Sequence, residues 1–203
     1  MKKVILFFAT IAIALASVSC SNKAGQDGNA TYDAIMTRTS VRSYSDKPVG
    51  TEQVDSLLHA AMAAPTAVNK QPWRFLVVNQ REALDSIASI SPNMKMVEGA
   101  KLAIILCGDM DAALQGEARE FWVQDVSAAT ENLLLAAHSM GLGAVWCGIY
   151  PVQDRVAAFA KLFNMPENII PLSCVVIGYP DGQNTPKDKW KPENVHYNTW
   201  GNN

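Results

Sequence analysis

Residues 102–108, LAIILCG, are apolar throughout, so both faces of an extended chain there would avoid water. A run this short suits a strand, and a strand dry on both sides needs a covering layer above and below. The neighbouring segments offer those layers. TYDAIMTR reads as a short helix. TEQVDSLLHAAMAAP reads as a longer one, with Thr51 as N-cap, apolar residues at Val54, Leu57, Leu58 and Ala61, and Pro65 as the stop. RFLVVN is a strand candidate and REALDSIASI a short helix. The longest helical pattern is EFWVQDVSAATENLLLAAHSMG, where Trp122, Val126, Ala129, Leu133 and Ala136 recur at spacings of three and four before Gly141. AVWCGIY follows as a strand entering a turn, VQDRVAAFAKLFNMP as a helix ended by Pro166, and PLSCVVIGYP as the last long strand. This alternation indicates a sheet covered by helices, in an α/β or α+β domain, and leaves the strand order open.

One such domain is what the chain can supply: it has 203 residues, 49% hydrophobic, with no internal repeat. Lys and Arg number 17 against 19 for Asp and Glu, so the basic excess of a nucleic-acid binder is missing and no nucleic-acid partner is expected. Residues 1–20 begin with Lys2 and Lys3, continue apolar from Val4 to Ala16 and end in small residues before Cys20, the pattern of a secretory signal. LASVSC resembles the lipobox of bacterial lipoproteins, with Ser17 where Leu is usual. Acylation of Cys20 would make the chain an exported, membrane-anchored lipoprotein, the alternatives being an ordinary cleaved signal or an N-terminal anchor. Residues 21–30 read as a flexible spacer, 31–203 as the folded domain, and 180–203 as an arm whose Trp190, Tyr197 and Trp200 a frayed tail would not carry.

Cys107, Cys147 and Cys174 lie in apolar, strand-like contexts and read as buried small hydrophobes rather than a disulfide framework or metal site. No Cys or His spacing matches a zinc site, and none of His59, His138 and His196 has a nucleophile or acid partner in a recognisable arrangement.

Two polar stretches carry the chemistry. In RTSVRSY, Arg38 ends the first helix, while Ser40 and Arg42 alternate along the extended segment after it, so the three could converge on an anion such as phosphate. A solvated turn with surface ion pairs is the other reading. In AAPTAVNKQPWRF, Asn69 and Gln71 follow a helix stop and precede Trp73 and a strand. Their amides could read the edge of a flat heterocycle, or satisfy their own loop backbone.

Together, in this order, RTSVRSY and PTAVNKQPW resemble the nitroreductase family of flavoproteins. The likeness extends to ENLLLAAHSMGLGAVWCGIY, similar to the family's long helix and following strand, and to VVIGYP with its lysine-bearing arm. The resemblance implies an α+β, three-layer α/β/α sandwich with a mixed, mostly antiparallel sheet between helices. It implies FMN as cofactor, contacted by Arg38, Thr39, Ser40 and Arg42, with Pro65, Thr66, Asn69 and Gln71 around the ring or ribityl chain and Gly148 approaching by backbone. Lys187 and Lys189 stand where the family shows a basic pair with arginine second, keeping the charge but not the bidentate fork. Cys147 occupies a flavin-proximal place held by glutamate in some members. No catalytic side chain is implied, because the flavin carries the chemistry. The expected function is electron transfer through FMN from NAD(P)H, or another reductant outside the cytoplasm, to a small aromatic or quinone-like acceptor, in a homodimer. A non-catalytic flavin- or ligand-binding lipoprotein and a flavin-dependent dehalogenase-like relative are the alternatives.

Overall fold

The structure, a computed structural model, describes residues 29–201. The proposed signal, Cys20 and nearly all of the spacer lie outside the described residues. No helix among those described is long and apolar enough to cross a membrane. The elements run α1 (Ala30–Thr37), α2 (Thr51–Met62), β1 (Trp73–Val78), α3 (Arg81–Ile90), β2 (Leu102–Asp109), α4 (Phe121–Ser139), β3 (Gly143–Gly148), α5 (Gln153–Leu162) and β4 (Ile169–Gly178). The four strands pair in the order β1-β2-β4-β3, antiparallel throughout. Ser40 adds one parallel bridge to Ala144 at the β3 edge.

β2 shows why its run is unbroken. Leu102, Ile104 and Leu106 face a core built with α2 and α4, and Ala103, Ile105 and Cys107 face a second core with α3 and α5. β4 divides in the same way, Val175 and Ile177 on one side and Cys174 and Val176 on the other. The sheet is therefore the middle of three layers, as an α+β sandwich requires.

Some helix ends differ from expectation. Gly50, not Thr51, is the N-cap of α2; the Gly50 N–H donates to Gln53 Oε1 at 3.0 Å, so the side chain three residues on does the capping. α5 stops at Leu162, before Pro166. Asn164 takes the left-handed turn (φ 50°), and the Met165 N–H returns to Ala160 O at 2.9 Å. Gly141 (φ 72°) closes α4 as its position suggested.

The sheet is tied down on both sides of its central pair. The β2–β4 register shifts at Leu106/Cys107, and the carbonyl of Leu172, passed over in that pairing, accepts from Ile149 N–H and Tyr150 N–H, which fixes the chain just after Gly148. On the β1 side, Arg74 Nη2 pairs with Asp109 Oδ2 at 2.6 Å, joining β1 to β2. Burial pushes the Asp109 pKa up, but N–H donors from Asp111, Asn168 and Ala112 and the Arg74 charge outweigh it and hold it below the ordinary value. Residues 181–201 do not cover their own core: Trp190 and Trp200 are 72% and 91% exposed.

Candidate functional site

After α1 the backbone turns extended at Arg38 (ψ 133°), and Val41 N–H donates to Ala144 O at 3.0 Å. Strand alternation then sends Val41 into the core and leaves Ser40 half-buried and Arg42 exposed. The docking is close. A Cβ on Gly143 would lie 2.6 Å from Val41 Cγ1, so only glycine lets this segment seat. Tyr44 locks its far end, its hydroxyl shared between Val41 O at 2.6 Å and Val176 O at 3.1 Å.

Arg38, Thr39, Ser40 and Arg42 line a cavity of about 390 Å³ together with Lys187, Lys189 and the arm residues Gln183, Asn184 and Thr185. Two guanidinium and two ammonium groups thus meet from opposite ends of the chain, and no carboxylate lines the cavity. Arg38 is held through Nε, 3.3 Å from Glu131 Oε1 on α4, which leaves its two terminal nitrogens for a ligand.

Arg42 also borders a second cavity, of about 460 Å³, lined by Trp146, Cys147 and Gly148 of β3, Asn93, Lys95 and Met96 of the 92–99 turn, and Arg155 of α5. Arg155 donates to Gly148 O at 3.0 Å. An added Cβ on Gly148 would meet nothing within 4 Å, so its bare backbone faces open space. Asn93, Lys95 and Arg155 were not anticipated from the sequence; a lysine and an arginine inside otherwise ordinary turn and helix patterns gave no distinctive signal.

The thiols agree with the buried-hydrophobe reading. Burial pushes Cys107 up to about 12 and Cys174 well above the ordinary range. Burial also raises Cys147, against the lowering influence of Arg42 and Arg155. All three remain free, protonated thiols at neutral pH. His138 does find a partner, its Nε2 2.8 Å from Thr37 Oγ1. Because that hydroxyl already donates to Asp33 O, the ring nitrogen acts as donor.

The 65–71 loop has a marked backbone. Val68, Asn69 and Gln71 are all left-handed (φ 52°, 54° and 50°), a conformation unusual for one non-glycine residue and costly for valine. It is braced by Asn69 N–H to Thr66 O, Gln71 N–H to Thr66 Oγ1 and Gln71 Nε2 to Asn69 Oδ1. Pro65, Thr66, Asn69 and Gln71 line neither of the two cavities. Within one chain, then, the eight other expected contact residues come together around Arg42, and these four stand apart.

The paired cavities suit an elongated ligand with an anionic end, which the four cations would hold, and a flat polar body lying towards Gly148. A family model described as the nitroreductase family matches residues 35–93 and 89–179. A protein of Methanothermobacter thermautotrophicus, provisionally named NADH dehydrogenase/NAD(P)H nitroreductase, is 46% identical over 168 residues, 83% of this chain and 86% of that protein. A crystal structure from Bacteroides thetaiotaomicron with the same provisional name superposes with a TM-score of 0.80 at 44% identity, covering 85% of this chain and 99% of that one. A provisionally named nitroreductase from Desulfovibrio desulfuricans, solved in complex with FMN, superposes at 0.70 with 30% identity, over 81% of this chain and 94% of that one.

Proposed function

The chain belongs to the nitroreductase family, and on that premise we propose that it is an FMN-dependent oxidoreductase that reduces a small aromatic or quinone-like acceptor. The observation that carries this reading is the four-cation cavity joined through Arg42 to the open backbone at Gly148. Arg38, Arg42, Lys187 and Lys189 would hold the phosphate, with the Ser40 hydroxyl as a further donor. Gly148, lacking a side chain, admits a ring edge close to its backbone. Arg42, Lys95 and Arg155 place positive charge beside that ring and no carboxylate against it. When bound, FMN supplies the two-electron chemistry; the chain's own residues bind it, orient it and set the field around it.

The electron donor in this reading is NAD(P)H, the nucleotide in the relatives' names, or another reductant where none is available. A second copy of the chain completes the site. The Pro65–Gln71 loop lines neither cavity of its own chain, and Trp190, Tyr197 and Trp200 are exposed on the arm rather than packed into the core. A symmetric homodimer would bring both to a partner.

Purified domain mixed with FMN is expected to retain the flavin with a shifted visible spectrum, and anaerobic titration with NADH or NADPH to bleach it. No retention would overturn the reading. Retention without bleaching by either nucleotide would point to a ligand-binding role or a different donor.

The LASVSC pattern supports export and a lipid anchor at Cys20. Full-length protein should then sediment with membranes and Cys20→Ala should not. Equal sedimentation of both would refute acylation.

A further inference from the structure

We propose that Asp125 is a positioning residue, which, through the backbone of Ala67, holds the 66–71 loop in the shape that presents Asn69 and Gln71 to the flavin ring. The inference rests on the proposed function, in which this loop meets the ring. Asp125 lies on the buried face of α4, three residues after Trp122 and four before Ala129, and is 7% exposed. A carboxylate in that position is costly unless partnered. Its partner is the Ala67 N–H, 2.8 Å from Oδ1, at the first residue of the 3-10 turn that opens the loop.

Two helical turns further on, Asn132 Nδ2 donates to Ala60 O at 3.1 Å, in the last turn of α2. The same face of α4 therefore grips the chain on both sides of the passage from α2 into the loop. The loop's own hydrogen bonds, from Asn69 N–H and Gln71 N–H to Thr66, from Lys70 N–H to Ala67 O and from Gln71 Nε2 to Asn69 Oδ1, make it a compact knot without attaching it to the rest of the molecule. Attachment comes from Asp125 and, at the other end, from a longer contact of Arg74 Nη1 with Gln71 O at 3.5 Å. Val68 is left-handed and 81% exposed, so burial of its side chain does not explain the strain. Backbone strain of this sort persists where surrounding contacts impose a shape. Asp125 supplies a short contact from a buried carboxyl group at the start of the loop, while just beyond its end Asp109 N–H donates to Pro72 O at 2.7 Å.

FMN affinity and the visible spectrum of bound flavin, measured on Asp125→Ala and Asp125→Asn beside the unaltered chain, test this. Asp125→Ala should weaken FMN binding about tenfold or more and move the flavin absorption band. Asp125→Asn keeps an acceptor at Oδ1 and should stay within about threefold of the unaltered protein. Should Asp125→Ala not fold, Ala67→Pro removes the donor instead. Proline is tolerated at the first position of such a turn, and Thr66 before it is already extended (φ -135°, ψ 156°), so a comparable loss is expected. Unaltered affinity and spectrum in Asp125→Ala, or in Ala67→Pro where that variant stands in for it, would overturn the inference, as would an Asp125→Asn variant as weak as Asp125→Ala. If the unaltered chain itself retains no FMN, the functional reading fails and this inference with it; if it does and the variants match it, only this inference fails.

Discussion

Replacing Arg38 and Arg42 together by alanine is expected to weaken FMN binding by about 3–6 kcal/mol, from roughly 1.5–3 for each lost charged hydrogen-bond partner. That corresponds to about a hundredfold to twenty-thousandfold in Kd. The fold should survive. Arg38 gives up only its Nε contact with Glu131, whose side chain is 47% exposed and can be hydrated in place. Arg42 is exposed and makes no hydrogen bond or ion pair among the described residues, so its removal leaves nothing unpaired. Lys187 and Lys189 remain in the cavity, but each is a point charge without the paired donors of a guanidinium. Because both arginines would grip one ligand, the double loss should fall at or below the sum of the single ones. Fluorescence titration of FMN against apoprotein measures the affinity, and thermal unfolding of the apoprotein checks the fold. Each affinity should also decline with rising salt, since the cavity is open to solvent. An unchanged Kd in the double variant would place the phosphate elsewhere on the molecule.

How far these features could be read from the sequence depends on whether the cause is local. LAIILCG announced a strand dry on both faces, and Leu102, Ile104 and Leu106 do separate from Ala103, Ile105 and Cys107 across the sheet. RTSVRSY gave the alternation that sends Val41 inwards and Arg42 out. The α2 cap was misplaced because Gln53, a side chain inside the helix, satisfies the Gly50 N–H, a role that residue type alone does not announce. The anion site is less legible. Its charge comes half from Arg38 and Arg42 and half from Lys187 and Lys189, and only tertiary folding brings those segments to one cavity. Lys95 and Arg155 were invisible for the same reason. Asp125 did carry a signal, since it interrupts the apolar spacing of α4 on the side facing the core. A charge on the dry face of an amphipathic pattern asks for a partner, and the partner proved to be a backbone N–H from another segment. The arm's aromatic residues suggested packing, but among the described residues Trp190, Tyr197 and Trp200 stay exposed, and residue type alone does not say what would cover them.

Trp122→Ala should cost about 3–5 kcal/mol of folding stability, the range for deleting a buried large aromatic side chain. Of a total that is about 5–15 kcal/mol for an ordinary domain, that is a large share. Trp122 is 2% exposed and fills the space between the start of α4, the end of β2 and the turn after β3. Its ring meets Tyr150 edge-on at 4.9 Å, and Tyr150 in turn reaches Glu120 Oε2 at 3.3 Å. On the sheet side the fit leaves no slack: a Cβ on Gly108 would stand 2.4 Å from Trp122 Cε3. Gly108 is fixed in the β1–β2–β4 ladder, so the sheet cannot move in to fill the hole, and the cost should be towards the upper end. At about 2–4 °C per kcal/mol for a chain of this size, the thermal midpoint should fall by roughly 6–20 °C. Gly108→Ala attacks the same contact from the other side and should cost about 1–3 kcal/mol by overpacking. With the indole gone the added methyl meets only the flexible end of Met110, whose Cε lies 2.8 Å from that position and can turn into the vacated space, so the double variant should lose less than the two single losses combined. Equilibrium urea unfolding of all four proteins gives the coupling directly. Strict additivity would mean that Trp122 and Gly108 do not share the contact that the packing assigns to them.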